Sequence, residues 1–102
     1  MSVKIFIKRH IKEDHMKAAM SLIDRFRLDA MEQPGYISGE TLVNHYDPRS
    51  VTVVSTWKTV EDWIRWQESN ERARNEARLD ELLEQSTKYE IYDVDLSSAS
   101  RS

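Results

Sequence analysis

Val3, Ile5 and Ile7 alternate with Lys4, Phe6 and Lys8. A β-branched residue at every second position is the period of a strand, and it predicts one over Val3–His10. The period then changes: Met16, Ala19, Met20, Ile23, Phe26 and Ala30 recur at three- and four-residue steps, with Asp24, Arg25 and Asp29 off that stripe. This predicts an amphipathic helix to about Met31, with Glu13 and Asp14 at its positive end and Pro34–Gly35 as its stop. A second strand is expected from Tyr36 to about Tyr46. Strict alternation puts Ile37, Thr41 and Val43 on one side of it, and Tyr36, Leu42 and Tyr46 on the other. Gly39 in its middle signals a bulge or a close backbone approach. Asp47–Pro48–Arg49–Ser50 reads as a turn and Val51–Trp57 as a third strand, so the pair forms a hairpin.

Thr59, followed three residues on by Asp62, reads as the N-cap of a helix with Val60, Trp63 and Ile64 on its apolar stripe. Ser69 offers a second cap, so the helix is bent or double at Ser69–Asn70; its later stripe is Ala73, Ala77, Leu79, Leu82 and Leu83. Lys88–Val94 is the last strand, and the small polar residues Ser97–Ser102 read as a disordered tail after a domain spanning 1–96. The order strand, helix, strand, strand, helix, strand is the ferredoxin-like βαββαβ arrangement. It is an α+β fold with a four-stranded antiparallel sheet and the helices on one face. Apolar residues nevertheless occupy both strand parities: Phe6 opposite Ile5 and Ile7, Val54 opposite Val51 and Val53, Tyr92 opposite Ile91. Both sheet faces then need cover, and a second copy packed sheet against sheet is the simplest one, which predicts a homodimer.

Composition narrows the chemistry. A chain of 102 residues is one domain. Fifteen Lys and Arg against eighteen Asp and Glu leave −3, without the basic surface that nucleic acid or anionic membrane requires. Cysteine is absent, which removes disulfides, thiolate metal sites and a cysteine nucleophile. No apolar run approaches the roughly 18 residues of a membrane span, and the N-terminus lacks the apolar core of a signal peptide, so the cytosol is the expected location. Two glycines are too few for a phosphate-binding loop. Asp14–His15 and His45–Asp47 are close in sequence but do not converge, so no metal site is expected. The mixed-charge run Glu68–Glu84 reads as a solvated helix face.

Gln33–Pro34–Gly35–Tyr36 followed by Ser38–Gly39–Glu40–Thr41 resembles the start of the second strand in antibiotic biosynthesis monooxygenase domains. Ser55–Thr56–Trp57–Lys58–Thr59, Glu61 and Trp66–Gln67–Glu68–Ser69 resemble that family's third strand and following helix. The resemblance runs from Val3 to Val94 and implies a dimeric α/β barrel. The family contains cofactor-free oxygenases of aromatic polyketides and haem-degrading enzymes, and many members without a known reaction.

The resemblance puts Trp66 where many relatives carry His and the haem-degrading branch carries Trp. It is the first candidate for an aromatic pocket wall, with Asp62, Trp63 and Tyr36 beside it. Polyketide oxygenases of the family use an Asn four residues before a Trp; Asp62 stands there instead, and an ionised carboxylate can only accept. Trp57 and Trp63 also read as core residues. Lys8 and His10 share a strand parity near a polar position of the haem-degrading branch. His10 has the ordinary pKa of a general base near neutrality, and Lys8 has the charge to hold a developing phenolate; both equally suit a solvated strand end. Glu76 occupies the position of the haem branch's axial His, which disfavours haem degradation. Two readings follow. One is a cofactor-independent monooxygenase of a quinol- or anthrone-like aromatic, with no cofactor and no metal. The other is a non-catalytic ligand-binding or structural barrel domain.

Overall fold

The structure, a computed structural model, describes residues 1–95. The tail expected over 97–102 lies outside the described residues. The elements are β1 (Val3–His10), α1 (Met16–Ala30), β2 (Tyr36–Val43), β3 (Ser50–Trp57), α2 (Val60–Gln67), α3 (Asn70–Asp80) and β4 (Lys88–Asp93). The strands form one antiparallel sheet in the order β2-β3-β1-β4, the ferredoxin-like topology.

The parity of β1 decides the layering. Val3, Ile5, Ile7 and also Arg9 are buried, whereas Lys4 and Lys8 are exposed. The buried parity packs against Ala19, Ile23, Phe26 and Ala30 of α1, Trp63 and Trp66 of α2, and Leu79 of α3, so the helices share that face. The other face is open in the single chain and carries Phe6 against Tyr92, ring centroids 5.4 Å apart and nearly perpendicular.

Several boundaries differ from the sequence expectation, each for a local reason. Glu13 and Asp14 precede α1 rather than occupy its first turn, because Asp14 adopts a left-handed conformation (φ 66°) that a helix cannot continue. β2 stops at Val43, because the Asn44 side chain accepts from the backbone N–H groups of Tyr46 and Asp47 and starts the turn early. Within β2 a bulge falls between Tyr36 and Ser38. It puts two residues opposite one and reverses the parity, so Tyr36 shares the helix face with Gly39 and Thr41 instead of with Leu42. The double helix is present: Thr59 Oγ1 accepts from Asp62 N, and Ser69 Oγ accepts from Arg72 N, two N-caps for two helices.

The face of α3 is the main departure. Ala73 and Ala77, expected on the apolar stripe, are exposed. Leu79 and Leu83 turn inward as expected, but they are joined by Arg72 and Glu76 rather than by the alanines, with Arg72 only 4% exposed. The run is therefore not a uniformly solvated face.

Candidate active site

A cavity of about 40 Å³ lies between the helix face of the sheet, α1 and α2. Its wall includes Tyr36, Trp57, Trp63, Trp66 and Phe26, and its charged members are Arg9, Arg27, Glu40 and Arg72. Three of these rings touch in series, and the last of them meets Tyr89 outside the cavity wall. Tyr36 meets Trp57 edge-on at 5.4 Å, Trp57 meets Trp63 at 5.9 Å, and Trp63 meets Tyr89 at 6.1 Å. The indole N–H of Trp57 donates to Ser55 Oγ two residues back on the same face. Gly39 leaves room for the Tyr36 ring: a Cβ on it would stand 2.5 Å from the Tyr36 hydroxyl and push that side chain aside. Gly35, at φ 85°, is required by conformation, and by the Asp62 side chain packed against it.

Beneath the rings sit two guanidiniums. Arg9 reaches the site because it continues the buried parity of β1; Arg72 reaches it from the inward face of α3. Both place Cζ 5.4 Å from the centroid of Phe26, and Arg72 lies equally close to Trp63 and 5.6 Å from Tyr89. One carboxylate serves both. Glu76 Oε2 is 3.4 Å from Arg9 Nη2 and from Arg72 Nη2. Glu76 Oε1 accepts from the Tyr89 hydroxyl at 3.3 Å and from Thr87 Oγ1 at 3.4 Å, and Arg72 Nη2 also donates to Tyr89 at 3.1 Å. Burial depresses the Arg9 pKa, opposed by the attraction of Glu76, and a guanidinium keeps its charge inside proteins. Burial raises the Tyr89 phenol, so it stays protonated and able to donate. Asp80, on the solvent side, is raised by desolvation and then by Glu76, against the pull of both arginines.

The expected site residues divide among three places. Trp66, Trp63 and Tyr36 come together on the cavity. Asp62 lies at the N-terminus of α2, where it accepts from Thr59 Oγ1 at 2.9 Å and pairs with Arg65 at 3.0 Å. Those partners, Thr59 foremost, lower its pKa. Lys8 and His10 lie on the opposite parity. Lys8 pairs with Glu90 at 2.9 Å, a contact that raises its pKa. His10 Nδ1 is 3.1 Å from Glu84 Oε2 and Nε2 is 3.0 Å from Asp47 Oδ2. Each ring nitrogen thus faces a carboxylate, and His10 stands on the sheet face away from the cavity.

Arg9, Arg72, Glu76 and Tyr89 were not singled out for the site by sequence reasoning. The signal for Arg9 is its parity with Val3, Ile5 and Ile7; that for Arg72 and Glu76 is helical phase, Arg72 standing seven residues before Leu79, and Glu76 three before Leu79 and seven before Leu83. With Glu76 engaged by four groups, its carboxylate is committed within the fold. Among the described residues no group of three or more His, Asp or Glu side chains is placed to hold a metal ion. No helix among them is long and apolar enough to cross a membrane.

Comparison with known proteins supplies the remaining information. Among curated proteins none matches the chain. A conserved protein from Methanosarcina mazei superposes with a TM-score of 0.87 at 18% identity, covering 93% of this chain and 94% of that one. SnoaB, a cofactor-independent oxygenase from Streptomyces nogalater, superposes at 0.82 with 13% identity, covering 92% and 93%. The Rv0793 protein of Mycobacterium tuberculosis gives 0.84 at 15% identity over 96% and 100%. At these identities the likeness is one of fold. The sequence profile for antibiotic biosynthesis monooxygenase matches residues 2–78, well over half of the chain, which therefore belongs to the antibiotic biosynthesis monooxygenase family.

Proposed function

We propose that the chain is a cofactor-independent monooxygenase that oxidises a small electron-rich aromatic, of the quinol or anthrone kind, in the cavity beside Trp66. One observation carries this reading: the cavity wall is aromatic, yet guanidiniums sit in it, a combination suited to a flat ring bearing an ionisable oxygen. The oxygenase SnoaB, which shares the fold, supports it. For an anthrone the step balances as follows. A C–H proton leaves to solvent, and the resulting anion passes an electron to O₂. The radical pair closes a C–O bond and the peroxide takes a proton from solvent; loss of the second proton from the same carbon then supplies the electron pair that breaks the O–O bond, and hydroxide leaves, protonated to water. The carbon gives up four electrons and becomes a carbonyl, one oxygen atom staying in it and the other departing as water. The protein's part is to exclude bulk water and to favour the substrate anion, whose pKa falls beside a buried cation.

The cavity is smaller than a bicyclic ring, so Tyr36, half-buried above Gly39, is the side chain that swings to admit one. The same reading pairs two copies through the open sheet face, where Tyr92 and Leu42 are 52% and 46% exposed. Such an interface belongs in the class above about 1,200 Å² and gives a dimer by light scattering at micromolar concentration. The small volume also favours the second reading, a non-catalytic domain. Oxygen uptake with anthrone and with 1,4-dihydroxynaphthalene, corrected for buffer, decides between them. Uptake that falls at least about tenfold in Trp66→Ala supports the oxygenase, and no uptake above buffer with either compound overturns it.

A further inference from the structure

Two buried N–H donors have no acceptor among the described residues: Arg9 Nε and the Trp63 indole Nε1. Both belong to residues lining the cavity, and the two residues are 5% and 1% exposed. An unmade hydrogen bond at a buried donor is costly, about 1–3 kcal/mol and more at a charged group, so such orphans need an explanation. The charge balance points the same way. Two buried guanidiniums share the single carboxylate of Glu76, and the cavity wall itself carries Arg9, Arg27 and Arg72 against Glu40 alone. Asp80 is the other acid that feels the pair, and it lies on the solvent side.

We infer that the cavity is a receptor for an aromatic anion, with an ionised oxygen of the ligand (carboxylate, phenolate or enolate) accepting from Arg9 Nε and Trp63 Nε1. The inference rests on the proposed aromatic-binding role of the cavity and gives its ligand a charge. The stacking surface is apolar, and the donors come from a fixed fork and a rigid indole. An anionic oxygen therefore gains charge-assisted bonds without either donor losing an existing partner. A neutral ring of the same shape gains the stacking alone or a weaker neutral bond.

The test compares 2-naphthoate with 2-naphthamide by calorimetric titration of the wild-type protein at pH 8. Naphthoate is expected to bind about 10- to 100-fold more tightly, the worth of hydrogen bonds to a charged group. Arg9→Met should bring the ratio to within about threefold of one. Trp63→Phe, which keeps an aromatic side chain but removes the indole N–H together with part of the ring, should weaken naphthoate about fivefold or more beyond whatever change it makes to naphthamide. Should Arg9→Met fail to fold by circular dichroism, Trp63→Phe alone decides. Equal affinities in the wild type, binding of neither ligand, or a naphthoate-to-naphthamide ratio unchanged by Trp63→Phe would each overturn the inference. Oxygen uptake on the same preparation separates this from the oxygenase reading. Anion preference without uptake keeps the receptor and removes the reaction; uptake without preference does the reverse.

Discussion

Lys8 and Arg9 are neighbours in the chain, both cationic, both paired with a glutamate, and they stand on opposite faces of the same strand. The Lys8–Glu90 pair is the shorter, at 2.9 Å, but both side chains are more than 40% exposed. The Arg9–Glu76 pair is longer, at 3.4 Å, with the guanidinium 2% exposed. Distance alone ranks them wrongly. On the open face water solvates either partner when the other leaves, so the pair contributes little. On the helix face the loss of Glu76 strands two guanidiniums under aromatic rings, where no water replaces the carboxylate. Charge on the open face is a surface property, whereas on the helix face it is part of the packing.

The largest expected effect tests that contrast directly. Glu76→Ala should cost about 3–5 kcal/mol, and in a domain this size lower the melting temperature by more than about 10 °C. Glu90→Ala should leave the melting temperature unchanged. Equal shifts in thermal denaturation for the two variants would break the comparison. Next in size is Gly35→Ala, which forces a side chain into the left-handed region and onto Asp62; about 1–2 kcal/mol is expected from the conformation alone. A wild-type melting curve for that variant would show that the loop relaxes.

The pH dependence of stability sharpens the same comparison. His10 lowers the Asp47 pKa, Arg49 lowers that of Glu84, and Thr59 lowers that of Asp62. A depressed carboxylate contributes stability that is fully present above its unfolded value, about 4, and lost as pH falls through its folded value. Asp80 has the opposite sign: raised by burial, it opposes folding when ionised and relieves that cost as it takes up a proton. Three depressed groups against one raised predict a melting temperature flat from pH 7 to 5 and falling below about pH 4. A rise below pH 5 would mean that the buried network, through Asp80, outweighs the surface acids. The smallest effect concerns chemistry. His10→Ala is expected to leave oxygen uptake within about twofold, whereas loss of a general base costs about 10² to 10⁴. A drop of that size would bring the open face into the reaction.

Much of the fold was legible because its signals are periodic. The alternation in Val3–Ile7 and the three- and four-residue steps from Met16 to Ala30 survive in the structure, and Thr59 and Ser69 cap the helices they were expected to cap. The site was half legible. Trp66, with Trp63 and Tyr36 beside it, was put forward from the family resemblance, and all three line the cavity. Arg9, Arg72 and Glu76 were not, because a charged residue in a charged run is usually solvated, and only their phase relative to Ile7 and Leu79 marks them as internal. The place of Tyr36 on the helix face could not be read from alternation at all. A single bulge reverses the parity, and its position depends on pairing with β3 rather than on β2 alone.

The shared carboxylate also bears on how the chain reaches this structure. Arg9 and Glu76 are 67 residues apart in sequence. A loop of that length closes slowly, and until it closes Arg9 has no counter-charge to accompany it into the interior. A sheet covered by α1 alone would have to leave Arg9 in water, with the end of β1 unprotected. Docking of α3 and completion of the core are therefore expected to coincide. Amide hydrogens of Ile7 and Arg9 should exchange only through the same global opening as those of Leu79.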